Sequence, residues 1–174
     1  MSYVELHCHS AFSFLDGASS PDELAVAAAA HGYGAVALTD HDNLCGAMEF
    51  AQAAKLEGLK AIHGAELTIG GQLDHGNSEP RHLTLLVKDQ RGWSNLCRLL
   101  TLAHAETRSG RQRSDPRATL EQLEAHSEGL ICLSGCARHG IHDEPTLRRL
   151  LAVFGRDNLR IELQRPFARH DRAL

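Results

Sequence analysis

Short apolar runs alternate with amphipathic stretches along the chain, and polar turn residues separate them. Residues 3–8 read as a first strand, in which side chains at i and i+2 share a face. His7 and His9 therefore point together, while Leu6 and Cys8 pack the other way. Ser20-Pro21-Asp22-Glu23 is a helix start, with Ser20 as cap, Pro21 at the first helical position and Glu23 closing a capping box. That helix runs through an alanine-rich stretch to about His31 and stops at Gly32. Ala35 to Thr39 is a continuous apolar run, as expected of a strand covered on both faces. A second helix is predicted over 44–57, ended by Gly58. A third strand follows over Lys60 to His63, which Leu67 to Ile69 can continue. Residues 70–80 are polar and glycine-rich and read as a surface loop.

A fourth strand covers His82 to Val87. The helix over 92–105 places Trp93, Leu96, Leu99, Leu100 and Ala103 at apolar helical spacing. Residues 106–117 are arginine-rich, with hardly any apolar side chain, and read as an exposed linker. Asp115-Pro116 opens a short helix to His126. Strand five is Leu130 to Ser134, followed by Gly135-Cys136, a helix near 145–154 and a sixth strand, Leu159 to Leu163. Six strand-then-helix units imply parallel strands joined by right-handed crossovers. An open doubly wound sheet and a closed barrel both satisfy that order. The chemistry-bearing residues scatter over the ends of many strands, which favours an α/β barrel, where every strand reaches one face. No glycine-rich dinucleotide loop follows strand one, and there is no phosphate-binding lysine motif.

Those residues are histidines and acids. His7 and His9 are followed seven residues on by Asp16. Asp40-His41, Glu66, His82 and Cys136 recur after or beside later strands. Imidazole and carboxylate donors together suit divalent zinc, manganese or iron. His7, His9 and Glu66 could hold one ion, with His41 and Asp16 reaching neighbouring ones. Clustered ions can activate water and neutralise the oxygens of a phosphoester, so a metal-bound hydroxide would serve as nucleophile. Each piece alone has an ordinary reading: Asp40-His41-Asp42 can cap a helix, His82 can be a satisfied core histidine, and Cys136 a buried thiol. Their repetition at strand ends carries the metal reading. His104, His126, His139, His142 and His170 lie in helices or polar connections and are weaker candidates, and His31, His63 and His75 read as structural or solvent-facing.

Composition narrows the setting. The 174 residues suffice for one domain with a substantial core; 43% are hydrophobic and 23% charged, as in a soluble globular protein. Twelve histidines are many for this length, which supports metal chemistry. A formal charge of −4 argues against coating nucleic acid by electrostatics alone. It does not exclude a nuclease, because bound cations add local positive charge. The longest apolar runs, about seven residues, are too short to span a membrane, and no cationic, apolar leader precedes the first strand. The five cysteines are an odd number without paired spacing. Four of them sit in or beside apolar runs and look like small buried hydrophobes in a reduced, cytoplasmic protein.

Leu6-His7-Cys8-His9-Ser10, Leu38-Thr39-Asp40-His41-Asp42-Asn43, Gly64-Ala65-Glu66, Leu133-Ser134-Gly135-Cys136 and Leu163-Gln164-Arg165 together resemble the polymerase and histidinol phosphatase (PHP) domain. The form they resemble most stands at the N-terminus of bacterial DNA polymerase III alpha subunits, especially the error-prone, damage-tolerant type. The resemblance spans residues 1–174. It implies a distorted (β/α)7 TIM-like barrel holding up to three divalent metal ions at the carboxyl ends of its strands. The family's ligand pattern falls on His7, His9, Asp16, His41, Glu66, His82 and Cys136, seven of nine positions, with cysteine where free-standing phosphatases carry histidine. Of these, His7, His9, Asp16, His41 and Glu66 are the expected catalytic group. The last strand and the last two ligands would follow strand six, so the barrel is expected to be truncated there; His170 and Asp171 are poor substitutes.

The implied activity is metal-dependent phosphodiester hydrolysis, a 3′–5′ exonuclease acting on a DNA primer 3′ end. The rest of a polymerase chain and other replication or translesion proteins are the implied partners. The alternatives are a free-standing phosphatase for a small phosphomonoester, and a catalytically silent domain that braces the polymerase.

Overall fold

The computed structural model of the chain describes residues 3–70, 81–105, 107 and 115–164. Its elements, in chain order, are α1 (Pro21–Ala30), β1 (Ala35–Leu38), α2 (Ala47–Leu56), β2 (Lys60–Ile69), β3 (Arg81–Val87), α3 (Gln90–His104), α4 (Leu120–Ala125), β4 (Leu130–Leu133), α5 (Glu144–Phe154) and β5 (Leu159–Arg160). This is an α/β fold around one five-stranded sheet of order β1-β2-β3-β4-β5. Among the described residues no helix is long and apolar enough to cross a membrane.

Four strands run in one direction and β3 runs against them. β1 pairs with β2 and β4 with β5 in parallel, whereas β3 is antiparallel to both β2 and β4. The expectation of parallel strands throughout is thus corrected at β3. Antiparallel strands can be joined directly, while a parallel neighbour needs a crossover, usually a helix. The segment over 70–80 carries no helical pattern, and the reversal follows from that. The expected loop at 71–80 lies outside the described residues, as does all of the 106–117 linker except Thr107 and residues 115–117.

Three other expectations change. The predicted first strand is reduced to a parallel bridge between Glu5 and Val36. The Glu5 carboxylate takes the N–H groups of Leu6 and His7, and Thr39 Oγ1 takes that of Cys8, so these donors leave the ladder. Strand six shrinks to Leu159–Arg160, because Glu162 N donates to Ser134 Oγ instead of to backbone. Asp115-Pro116 starts no helix. Ala118 bridges Ile69, and Thr119 caps α4 by accepting from Gln122 N at 3.2 Å.

The two faces of the sheet have different tasks. Strand side chains alternate, so Ala65, Leu67 and Ile69 of β2, Leu83 and Leu85 of β3, and Leu130 and Cys132 of β4 face outward. They bury against Leu96, Leu99 and Leu100 of α3, Leu123 of α4, and Leu150 and Phe154 of α5. A second cluster joins Ala25 and Ala28 of α1, Val36 and Leu38 of β1, and Phe50 and Ala54 of α2; the alanines let the two helices approach closely. On the inner face, Ala37, Leu86 and Leu133 pack with Ile62 and Ile131 as an apolar plug. Further along that face come Glu66, Thr84 and His82, with Glu66 registered against Thr84 and Thr68 against His82. Of the cysteines only Cys132 is fully buried, Cys45 being exposed and the other three partly covered, so four buried thiols are not found.

Candidate metal centre

Strand direction determines which residues meet above the plug. Glu66 lies late in β2, His41 follows β1 and bridges Glu66, and Cys136 follows β4. His82 stands at the beginning of β3, and because β3 is reversed, its beginning lies at the same end of the sheet. His7, His9, Asp16, His41, Glu66, His82 and Cys136 all line one open cavity of about 670 Å³.

Glu66 is its centre. The residue is only 2% exposed, and a buried carboxylate must be compensated by partners. Oε1 lies 3.4 Å from His7 Nε2 and 3.6 Å from His82 Nδ1, and Oε2 lies 3.3 Å from His9 Nε2 and 3.0 Å from His41 Nε2. Burial opposes ionisation of Glu66, but hydrogen bonds from His7, His82 and His9 outweigh it and hold the carboxyl far below the ordinary range. Burial likewise disfavours the charged form of His7, yet Glu162 and Glu66 together lift that imidazole to about 10. His9 is raised against the same opposition by Glu66 and Asp16, and His41 chiefly by Asp42.

The ring orientations test whether a cation fits. His7 Nδ1 donates to Glu162 Oε1 at 2.8 Å, and His9 Nδ1 donates to Asp16 Oδ2 at 2.5 Å. With both Nδ1 atoms engaged by carboxylates, the two Nε2 atoms turn inward and face each other at 3.2 Å. Lone pairs cannot converge on each other and on a carboxylate without a proton or a cation between them. The donor set therefore fits divalent metal. Two groups have ligand atoms within 4.8 Å of one another, His7–His9–Glu66 and His41–Glu66–His82, sharing Glu66. Asp16 and Cys136 belong to neither group. Asp16 reaches the centre through His9, its carboxylate 60% exposed, and Cys136 Sγ accepts from His139 N at 3.2 Å.

The surrounding polar groups hold the ligand loops. Asp40, also buried, accepts from Ser10 N, Ser10 Oγ and Ser13 Oγ, each at 2.7 Å, and fixes the loop that carries Asp16. Asp42 accepts from Thr68 N and Thr68 Oγ1. Neither aspartate caps α2, which begins after Gly46. Leu15, in the same loop as Asp16, has φ of 69°, a left-handed conformation that costs a non-glycine residue roughly 1–2 kcal/mol. At Gly135, φ is 85° and a Cβ would stand 2.2 Å from His82 O, so only glycine lets the turn bearing Cys136 lie against β3.

Two participants escaped the sequence reading. Glu162 read merely as part of a strand, although an acid among apolar residues just before the Leu163-Gln164-Arg165 motif was the available signal. His139 read as a weaker candidate in a polar connection, but it lines the cavity with its ring 5.3 Å from that of His82. Other histidines do remain outside: His104 Nε2 donates to Asp42 O, and His126 Nδ1 to Gln122 O. His75, His170 and Asp171 lie beyond the described residues.

Comparison with known proteins bears on the same site. The chain is 45% identical over 150 residues to an error-prone DNA polymerase of Symbiobacterium thermophilum, an alignment covering 79% of this chain and 13% of that one. It is 40% identical over 172 residues to an error-prone DNA polymerase of Cutibacterium acnes, covering 92% and 15% respectively. The DNA polymerase III subunit alpha of Treponema pallidum is 39% identical over 180 residues, covering 94% and 15%. The chain thus spans about one seventh of the length of these relatives.

Among solved structures, a protein from Bifidobacterium adolescentis proposed to be a metal-dependent phosphoesterase superposes with a TM-score of 0.68 at 16% identity, over 93% of this chain and 77% of that one. An amidohydrolase from Chromobacterium violaceum superposes with a TM-score of 0.59 at 19% identity, over 91% and 75%. Both show a shared fold. The PHP domain family matches residues 5–166, nearly the whole of the chain that carries the histidines around Glu66, and the protein belongs to that family.

Proposed function

We propose that this chain is the metal-dependent phosphoesterase domain of an error-prone DNA polymerase III alpha-type protein, and that it hydrolyses the phosphodiester at a DNA primer 3′ end. The observation that carries this reading is the convergence of four imidazoles on the buried Glu66 carboxylate. Up to three zinc, manganese or iron ions, when bound, would lower the pKa of water and offset charge on the phosphoester oxygens.

The chain's own residues have separable tasks. Glu66 bridges the two ligand groups, His7 and His9 serve the first, and His41 and His82 serve the second. Asp16 orients His9 through Nδ1 from the cavity mouth, and Cys136 closes the far side. The relatives' identity as polymerases supports DNA as the substrate class, with the remainder of a polymerase chain as the covalent neighbour.

The test measures bound metal and hydrolysis of single-stranded DNA with manganese, zinc or iron supplied, for the parent and His9→Ala. The variant is expected to lose both metal and activity. Equal metal content and equal rates in the two proteins would sink the reading. Metal binding accompanied by cleavage of a small phosphomonoester and not of DNA would assign phosphatase activity. Metal binding without any hydrolysis would leave a bracing domain.

A further inference from the structure

Two of the most exposed large apolar side chains stand at the mouth of the metal cavity. Phe14 is 85% exposed and Leu15 is 108% exposed, and both line the cavity with His9, Asp16 and Glu66. A mobile loop would expose side chains by default, but this loop is tightly tied. Ser10 and Ser13 are held by Asp40, Ala11 N donates to Ser19 O, and Asp16 N and Gly17 N both donate to Ser13 O. A Cβ on Gly17 would stand 1.9 Å from Ser10 O, so the turn closes only with glycine there. Leu15 takes its left-handed backbone within this frame. The frame spends hydrogen bonds and backbone strain to hold an aromatic ring and an aliphatic side chain out in water beside the cavity.

The same cavity is lined by Arg138, which follows Cys136 in the connection from β4 to α5. Its side chain is exposed, and among the described residues it enters no salt bridge. An exposed aromatic ring with an aliphatic neighbour, and a guanidinium without a carboxylate partner among the described residues, beside a phosphoester centre match a nucleotide, which has a π-face at one end and an anion at the other. A small phosphomonoester without a base would leave the platform unused.

We propose that Phe14 and Leu15 form a stacking platform for the base of the substrate's terminal nucleotide, with Arg138 binding a phosphate of the same strand. The proposal rests on the phosphoesterase reading for the placement of the phosphate. It adds that the substrate class is a base-bearing polynucleotide end, selected by stacking and therefore tolerant of sequence.

Binding of short 5′-fluorescein-labelled single-stranded DNA to the 174-residue chain, followed by anisotropy in the presence of chelator, tests the platform without hydrolysis. One oligonucleotide ends in an ordinary 3′ nucleotide and the other in a 3′ abasic residue. The parent is expected to prefer the base-bearing end by roughly tenfold. Phe14→Ala removes that preference, and Phe14→Trp keeps it. Arg138→Gln weakens both oligonucleotides alike and lowers the salt slope by about one. A parent that binds both ends equally, or binds neither, overturns the proposal, as does a Phe14→Ala variant that keeps the preference. A preserved base preference in a chain that hydrolyses no DNA would overturn the catalytic reading and leave the platform standing.

Discussion

Nδ1 of His7 donates to Oε1 of Glu162 at 2.8 Å, joining the segment beside β1 to the segment after β5. This bond connects the two edges of the sheet and turns His7 Nε2 toward Glu66. Replacing Glu162 by Ala removes the acceptor of the Nδ1 proton. Metal affinity is expected to fall by roughly 10–100-fold with unchanged far-UV circular dichroism, measured by titration calorimetry. Undiminished affinity would mean that Thr84 Oγ1, 3.2 Å from the same nitrogen, orients the ring unaided.

The shared position of Glu66 predicts distinct metal stoichiometries. His82→Ala deletes a ligand from the second group alone and is expected to lower bound metal without abolishing it. Glu66→Gln weakens both groups and is expected to remove nearly all of it. Elemental analysis of the two purified variants checks this, and equal metal loss in both would contradict two separable groups.

The pH dependence of stability should change sign with metal. In the metal-free chain His7, His9 and His41 are raised above the unfolded value near 6.5, so their contribution is complete below about pH 6.5 and is lost as pH rises, for His7 toward about 10. Glu66 is lowered, so its contribution is present above the ordinary carboxylate range and is lost only as pH falls well below it. Metal requires neutral imidazoles, so its stabilisation grows as pH rises. Thermal midpoints in chelator should therefore fall from about pH 6.5 to pH 9, and the increment from added metal should increase over that range. Parallel profiles with and without metal would show that no cation displaces those protons.

Asp40→Asn is expected to cost about 1.5–3 kcal/mol in urea unfolding, because an amide donor would confront Ser10 N, Ser10 Oγ or Ser13 Oγ in a buried place. The same change should loosen the loop that presents Asp16 and so weaken metal held by His9. Normal stability would indicate that the loop is held by its backbone bonds alone.

Leu99→Ala tests the outer core independently of the site. Leu99 is fully buried between α3 and the sheet, and its loss should cost about 2–5 kcal/mol with metal stoichiometry unchanged. A matching loss of metal would show that the two faces of the sheet are not energetically separate.

Helix positions were largely legible because their signals are local. The Ser20 cap with Glu23, whose carboxylate accepts from Ser20 N at 2.9 Å, and the apolar spacing of α3 are each contained within one or a few turns. The strand ladders were less so. The first strand failed because the Glu5 and Thr39 side chains captured its donors, and the last because Ser134 did; Glu5 lies within the run itself, but Thr39 and Ser134 stand 31 and 28 residues from the donors they take.

By itself, the order of residues determined the α/β class and marked His7, His9, Asp16, His41, Glu66, His82 and Cys136 as candidate ligands, since residue chemistry and the local apolar pattern are read within short windows. Only the tertiary structure decided that β3 runs backwards, which brings His82 from the start of its strand to the end of the sheet where His41 and Glu66 stand. It also decided that Glu162, 155 residues away in sequence, is the partner of His7. Strand direction and the meeting of sheet edges depend on which segments pack together across the whole chain, and no local pattern encodes that.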